Sequence, residues 1–138
     1  MRIRRAPGRR HLTVVVLVAM ALSGCDSVAI ISASARIPDV PVDRECVVRV
    51  LASQEDVTET GVPDAGIAYA ILKVPPGLRA PAPTTRLVVT EKKGDDGREL
   101  TTVVAWIDRQ RRGTTAAYEA HVRRRVDELN ALLVESCP

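Results

Sequence analysis

The clearest hydrophobic pattern lies near the C-terminus, where apolar side chains recur every three or four residues. These residues are Tyr118, Val122, Val126, Leu129 and Leu133, and Cys137 continues the series. The spacing predicts an amphipathic helix that turns one face toward a core. Thr114 or Thr115 can cap the N-terminus of this helix, because both hydroxyl side chains precede its first apolar residue.

Three strands are predicted in the middle of the chain. Residues 67–72 are largely apolar on both alternating faces. Residues 86–91 and 99–107 are strand-like runs separated by KKGDDGR, whose glycines and aspartates favour a turn, so the two runs predict a hairpin. On its second strand we expect Trp106 to be the large anchor of the core.

Residues 43–54 leave two structures open. Four apolar side chains lie at helical spacing: Cys46, Val47, Val50 and Leu51. Asp43 can cap such a helix, whereas the β-branched content of the segment favours a strand. With the helix, the predicted fold is α+β in the order αβββα, a small antiparallel sheet of about three strands with two helices on one face. We expect residues 42–138 to form this single domain.

The basic net charge of the chain comes from its first ten residues. The sequence holds 20 Lys and Arg against 17 Asp and Glu, a formal net charge of +3. Five of the arginines precede residue 11, and without them 15 basic residues face 17 acidic ones, a formal charge of −2. The chain has two Tyr, one Trp and no Phe on which bases could stack. This composition argues against a nucleic-acid partner.

The N-terminus combines three features: arginines within residues 2–10, an apolar run over residues 12–22, and the sequence Leu22-Ser23-Gly24-Cys25. The apolar run is about half the roughly 20 residues that a transmembrane helix needs. The segment resembles the lipobox of bacterial lipoprotein precursors, whose cysteine is diacylated on sulfur before cleavage on its N-terminal side. The resemblance implies a signal peptide over residues 1–24 and lipid attachment at Cys25. It covers only about the first 25 residues.

The same resemblance implies a location. Acyl chains on Cys25 would anchor the protein to a membrane, since each buried methylene contributes about 0.8 kcal/mol. The domain would then belong to the cell envelope and face the periplasm. Asp26 resembles the signal that retains lipoproteins of enteric bacteria in the inner membrane, with the outer membrane as the alternative. Residues 25–41 mix small, polar and proline residues, and we expect them to form a short tether.

Once Cys25 is acylated, two cysteines remain, Cys46 and Cys137. An even pair in an exported chain predicts a disulfide. The alternative is a metal site or a catalytic thiol pair. Only His121 would remain as a histidine in the mature chain, and the sequence has no Cys-x-x-Cys spacing. We therefore expect no metal site.

Candidate chemistry is limited to one basic group. Arg109, Arg111 and Arg112 precede the predicted C-terminal helix and form a candidate anion-binding site. Guanidinium groups and free backbone N–H groups together can hold a phosphate or carboxylate, including that of a lipid headgroup. A solvated charged face is the alternative. The sequence has no nucleophile elbow, phosphate loop or dinucleotide fingerprint, so no catalytic residue and no cofactor is predicted.

These features predict a non-enzymatic, membrane-tethered envelope lipoprotein that acts as a binding or accessory module. Its partner would be another envelope protein or anionic lipid. Two alternatives stay open. One is a small periplasmic hydrolase whose acid and base meet only on folding, and the other is an enzyme inhibitor. The sequence indicates neither the identity of a partner nor an oligomeric state.

Overall fold

The computed structural model describes residues 27–108 and 115–138. In chain order the elements are β1 (Ser27–Ile37), α1 (Arg44–Ala52), β2 (Val57–Gly61), β3 (Ala68–Lys73), β4 (Thr84–Gly94), β5 (Gly97–Asp108) and α2 (Ala116–Ser136). The strands form one antiparallel sheet in the order β1-β5-β4-β3-β2. The class is α+β, but the expected order αβββα with about three strands is wrong, because the sheet has five.

The two strands that the sequence pattern missed lie at the two edges of the sheet. Residues 27–37, expected to belong to the tether, form β1 and pair with β5 along their whole length, from Ser27 opposite Asp108. β2 pairs only with β3, and its register shifts after Val57. An edge strand has a hydrogen-bonded neighbour on one side only. It therefore needs fewer large apolar side chains than a central strand, and its sequence shows a weaker alternation of apolar and polar residues.

The predicted hairpin is confirmed. β4 and β5 are joined by a tight turn in which Gly94 lies opposite Gly97, leaving Asp95 and Asp96 at the tip. Gly97 has a φ of 116°, a conformation that a side chain with a Cβ atom rarely adopts. The glycines and aspartates of this segment therefore serve the turn.

Residues 43–54 contain a helix rather than a strand. The Asp43 carboxylate accepts hydrogen bonds from the backbone N–H groups of Glu45 and Cys46, at 3.0 and 3.2 Å. These bonds satisfy donors that the first turn of α1 leaves free. The helix also buries Leu51 completely. Capping and burial together outweigh the modest strand preference of its β-branched residues.

Both helices pack on the same face of the sheet, which we call the covered face. Its most buried strand residues are Ile31, Ala68, Ala70, Leu72, Leu87, Val89, Leu100, Thr102 and Val104. The predicted stripe of α2 is confirmed, since all five of its apolar residues are buried against this face. The Thr115 side chain caps α2 by accepting a hydrogen bond from the Tyr118 backbone N–H at 3.2 Å.

The predicted disulfide joins the two helices of the covered face. Cys46 lies in α1 and Cys137 directly follows α2, and their sulfur atoms are 2.07 Å apart. The expectation that Trp106 anchors the core is wrong. Tyr118 is the large aromatic residue that is fully buried, and the half-buried Trp106 ring meets it edge-on at 5.5 Å. Trp106 lies near the end of β5, at the edge of the core.

Candidate functional site: the open face of the sheet

The side of the sheet opposite the helices carries no helix or strand of the described chain, and we call it the open face. Its side chains alternate with those of the covered face along each strand. From β1 across to β2 they are Val28, Ile30, Ser32, Ser34 and Arg36; Glu99, Thr101, Val103, Ala105 and Ile107; Thr84, Arg86, Val88, Thr90 and Lys92; Tyr69, Ile71 and Lys73; and Glu59.

One corner of the open face is apolar and exposed to solvent. Val28 lies opposite Ile107, and Ile30 lies opposite Ala105, where β1 begins and β5 ends. The exposed fractions are 65 % for Val28, 64 % for Ile30 and 57 % for Ile107. We call these four residues the apolar corner. It is the largest cluster of exposed apolar side chains among the described residues, whose two other large ones, Val40 and Val62, lie apart from it.

The far end of the same two strands is polar. Ser34 and Thr101 share a hydrogen bond of 2.8 Å between their hydroxyl groups. Beyond them, Arg36 lies opposite Glu99. The exposed Arg36 guanidinium also approaches Asp96 at 4.0 Å, a contact that contributes little to stability in water. The open face thus changes from apolar to polar along β1 and β5.

A polar cluster occupies the other side of the open face. The Tyr69 hydroxyl donates a hydrogen bond to Glu59 Oε1 at 2.7 Å, and this bond raises the pKa of Tyr69. The Arg86 guanidinium lies 4.9 Å from the centre of the Tyr69 ring. A Cβ atom on Gly61 would come within 2.7 Å of the ring, so the glycine allows the close approach. Tyr69 thus contacts both Glu59 and Arg86, and these contacts link β2, β3 and β4.

The polar groups of the covered face serve the core. Asn130 Nδ2 donates hydrogen bonds to Leu100 O at 3.2 Å and to Thr102 Oγ1 at 3.0 Å. The hydroxyl groups of Thr85 and Tyr118 lie 2.8 Å apart, and burial raises the pKa of Tyr118. These contacts satisfy buried polar atoms, as a stable core requires.

A cluster of charged side chains joins α2 to the segment between α1 and β2. Arg125 donates to both oxygens of Asp56 at 2.9 and 2.8 Å, and to Glu128 at 2.9 Å. Burial alone would lower the pKa of Arg125, but the hydrogen bonds to Glu128 and Asp56 raise it. Arg124 Nη2 lies 3.2 Å from His121 Nδ1, and burial, then the Arg124 charge, lowers the pKa of His121. The cluster is a structural ion-pair network.

A groove of about 320 Å³ opens at the end of the sheet where β4 begins. Pro81, Thr84, Trp106 and Tyr118 contribute to its walls, and Arg86 is its one charged residue. Trp106 Nε1 is buried there without a hydrogen-bond partner among the described residues. The groove lacks the paired acid and base that hydrolysis needs.

The structure confirms one of the site predictions made from the sequence, and the residues of the other two lie outside the described ranges. The structure confirms the disulfide between Cys46 and Cys137. The predicted lipid-attachment residue Cys25 lies outside the described residues. The candidate anion-binding residues, Arg109, Arg111 and Arg112, also lie outside them. The apolar corner was not predicted from the sequence, because residues 28–31 are all apolar and show no alternation that separates two faces.

Two further features of the described ranges bear on chemistry. Residues 27–108 and 115–138 contain no group of three or more His, Cys, Asp or Glu side chains able to hold a metal ion. Neither α1 nor α2 is both long and apolar enough to cross a membrane.

A comparison of the chain with protein-family models, with curated proteins and with solved structures finds no match in any of the three.

Proposed function

We propose that this chain is a bacterial envelope lipoprotein, anchored by acyl chains on Cys25, and that its domain is a non-enzymatic binding module. The lipobox-like sequence Leu22-Ser23-Gly24-Cys25 after a short apolar run supports the anchor. The disulfide between Cys46 and Cys137 supports export, because such bonds persist mainly in oxidising compartments. The domain would then face the periplasm.

The exposed apolar side chains of the open face are the main support for a binding role. An antiparallel sheet with one face in water normally places polar side chains on that face. Here Val28, Ile30 and Ile107 are all more than half exposed and lie side by side. Clustered apolar side chains on a small protein typically mark a surface that another molecule covers. The described polar clusters are instead satisfied within the domain, which supports binding over catalysis.

Arg109, Arg111 and Arg112 fit the same proposal as an anion-binding group. They follow directly on β5, whose last residue, Asp108, lies opposite Ser27, the first residue of β1. Cys25 is two residues before Ser27 in the chain. The arginines and Cys25 are therefore close in the chain to the same end of the sheet. We propose that their guanidinium groups bind the phosphate groups of anionic lipids or an acidic envelope partner.

The anchor is tested by metabolic labelling with a radioactive fatty acid in a bacterial host. The wild-type chain should carry the label and Cys25→Ala should not, because only the cysteine thiol accepts the acyl group. Ser23→Ala is the matched control, since it keeps a small residue in the lipobox, and it should label like the wild type. Equal label on the wild type and on Cys25→Ala would refute the anchor.

The membrane of residence is tested separately. We propose that Asp26 retains the lipoprotein in the inner membrane. Asp26→Ser should then move the protein to outer-membrane fractions on a sucrose gradient, while Ser27→Ala, one residue further along, should leave it in place. An unchanged distribution of Asp26→Ser would show that Asp26 is not a retention signal in this chain.

A further inference from the structure

We propose that the apolar corner rests on the bilayer that holds the anchor, so that the domain lies directly on the membrane at this corner. The occupant of the corner is a lipid surface. This inference depends on the proposed acylation of Cys25. It adds an orientation to that proposal, because it states which part of the domain meets the lipid and which part faces away from it.

Cys25, the proposed site of the lipid anchor, is close in the chain to Val28 of the apolar corner. Val28 follows Cys25 by three residues. Three residues span at most about 11 Å even when fully extended. β1 begins at Ser27, so the chain enters the sheet at once and no long tether separates the domain from the anchor. A lipid on Cys25 therefore keeps the start of β1 within about 11 Å of the membrane surface.

The open-face side chains of β1 and β5 change from apolar to polar along the strands. On β1 the open-face residues Val28 and Ile30 are followed by Ser32 and Ser34. On β5 the same change runs from Ile107 back to Thr101 and Glu99. The apolar side chains thus lie at the anchored end. On β1 the polar ones begin at Ser32, about 14 Å from Val28 at a strand rise of about 3.4 Å per residue. A surface that reaches only the anchored end explains this gradient.

Charge at the same end of the sheet fits a lipid surface. β3 ends at Lys73 where β4 begins, which is also the end where β1 starts. Lys73 and Arg79, which lies in the following loop, are both exposed. The backbone carbonyl of Arg79 accepts a hydrogen bond from Thr115 N at 3.2 Å, which places this loop beside the start of α2. Asp108, the last residue of β5, is an acidic residue at this end. The two basic side chains at the same end as the apolar corner favour an anionic bilayer surface.

A second copy of the chain is the competing occupant. It would pair with the free edge of β1 or cover the open face along its whole length. The polar residues from Ser32 to Arg36 give such a partner no apolar contact, whereas the bilayer requires none there. The gradient and the short distance to Cys25 therefore favour the bilayer.

The test uses the acylated full-length protein, purified from membranes and reconstituted in vesicles of phosphatidylethanolamine and phosphatidylglycerol. Val28→Trp places a fluorescent reporter in the corner, and Ser34→Trp is the matched control on the same strand and face. The parent protein corrects for Trp106. With brominated lipid, quenching should be at least about twofold stronger for Val28→Trp than for Ser34→Trp, because interfacial surfaces enter the bilayer by ~5–10 Å.

A second set of variants asks whether the corner itself makes the contact. Adding Ile30→Glu and Ile107→Glu to Val28→Trp should reduce the quenching to the level of Ser34→Trp, because charged side chains avoid the acyl region. Adding Thr101→Glu and Ser32→Glu instead, on the polar side of the same face, should leave the quenching unchanged. Circular dichroism of each variant verifies that the sheet is intact.

The outcomes separate the two proposals. If the native chain carries no fatty acid, the anchor fails and the orientation fails with it. If the chain is acylated but Val28→Trp is quenched no more than Ser34→Trp, the orientation alone is overturned. A blue-shifted Val28→Trp that is not quenched, together with chemical crosslinking of two chains, would assign the corner to a second copy and overturn the lipid contact.

Discussion

The two faces of this sheet are built from alternate residues of the same five strands, yet they follow different rules. On the covered face, Leu87, Val89 and Leu100 are almost completely buried beneath the helices. On the open face their chain neighbours remain partly or fully exposed. Packing against the helices therefore decides which residues can lie on the covered face. The apolar character of these residues is explained by the core and does not indicate a function. The open face is free of that requirement, so an apolar residue there points to a contact outside the domain.

Removal of the disulfide should have the largest effect, because it releases the helical layer that distinguishes the two faces. Cys46 and Cys137 are 91 residues apart. In the chain-entropy model, a crosslink of this length stabilises the fold by about 4 to 5 kcal/mol. The double variant Cys46→Ala, Cys137→Ala should lose stability of this order in urea unfolding. A loss below about 1 kcal/mol would mean that packing alone holds the helices in place.

Truncation on the covered face gives the next largest effect. Leu129 on α2 is completely buried. Leu129→Ala should cost about 2 to 5 kcal/mol, because it removes apolar contacts and leaves a cavity. Ile30→Ala on the open face is the matched control and should change the stability of the detergent-solubilised protein by less than about 0.5 kcal/mol. Comparable losses would show that the open face is covered in solution.

A buried hydrogen bond should matter more than an exposed one of similar length. Asn130→Ala leaves Leu100 O and Thr102 Oγ1 without their donor in the core, at a cost of about 1 to 3 kcal/mol. Ser34→Ala breaks the exposed bond to Thr101 and should cost less than about 0.5 kcal/mol, because water replaces the partner. Chemical denaturation of both variants measures the difference.

The smallest expected effect is a dependence of stability on pH. Burial lowers the pKa of His121 below its usual 6.5, so the unfolded chain binds the proton at a higher pH than the folded chain. Stability should therefore fall as the pH drops from 6.5 through the pKa of the folded state, by less than about 0.5 kcal/mol because the side chain is partly exposed. His121→Gln should remove this component. An identical pH profile for the variant would exclude His121 as its source.

Much of the covered face could be predicted from the sequence. The stripe on α2, the cap at Asp43 and the β4–β5 hairpin follow from spacing and turn chemistry. The edge strands could not be predicted in the same way. β1 alternates small residues such as Ala33 with serines, a composition that also suits a tether, and β2 has one large apolar residue, Val57. β1 depends on pairing with β5, a strand far away in the chain, and local patterns do not encode that pairing. β2 pairs with the next strand, β3, but its composition does not mark it as a strand.

The apolar corner was missed for a related reason. Val28 and Ile30 are ordinary strand residues until the sheet order shows that one of their faces is left uncovered. Ile107 joins them only through the pairing of β1 with β5, the first strand with the last. The sequence could indicate which residues are apolar, whereas the topology decides which of them remain in contact with solvent.

The pairing of β1 with β5 should be a late step in folding. Ser34 and Thr101, which share a hydrogen bond across these strands, are 67 residues apart in the chain. Strands β2 to β5 form a meander in which each strand pairs with its neighbour in the chain, whereas β1 is the first of the described strands and pairs with β5, the last of them. Contacts of such high contact order form slowly. Until β1 docks, β5 presents an unpaired edge through which incompletely folded chains can associate.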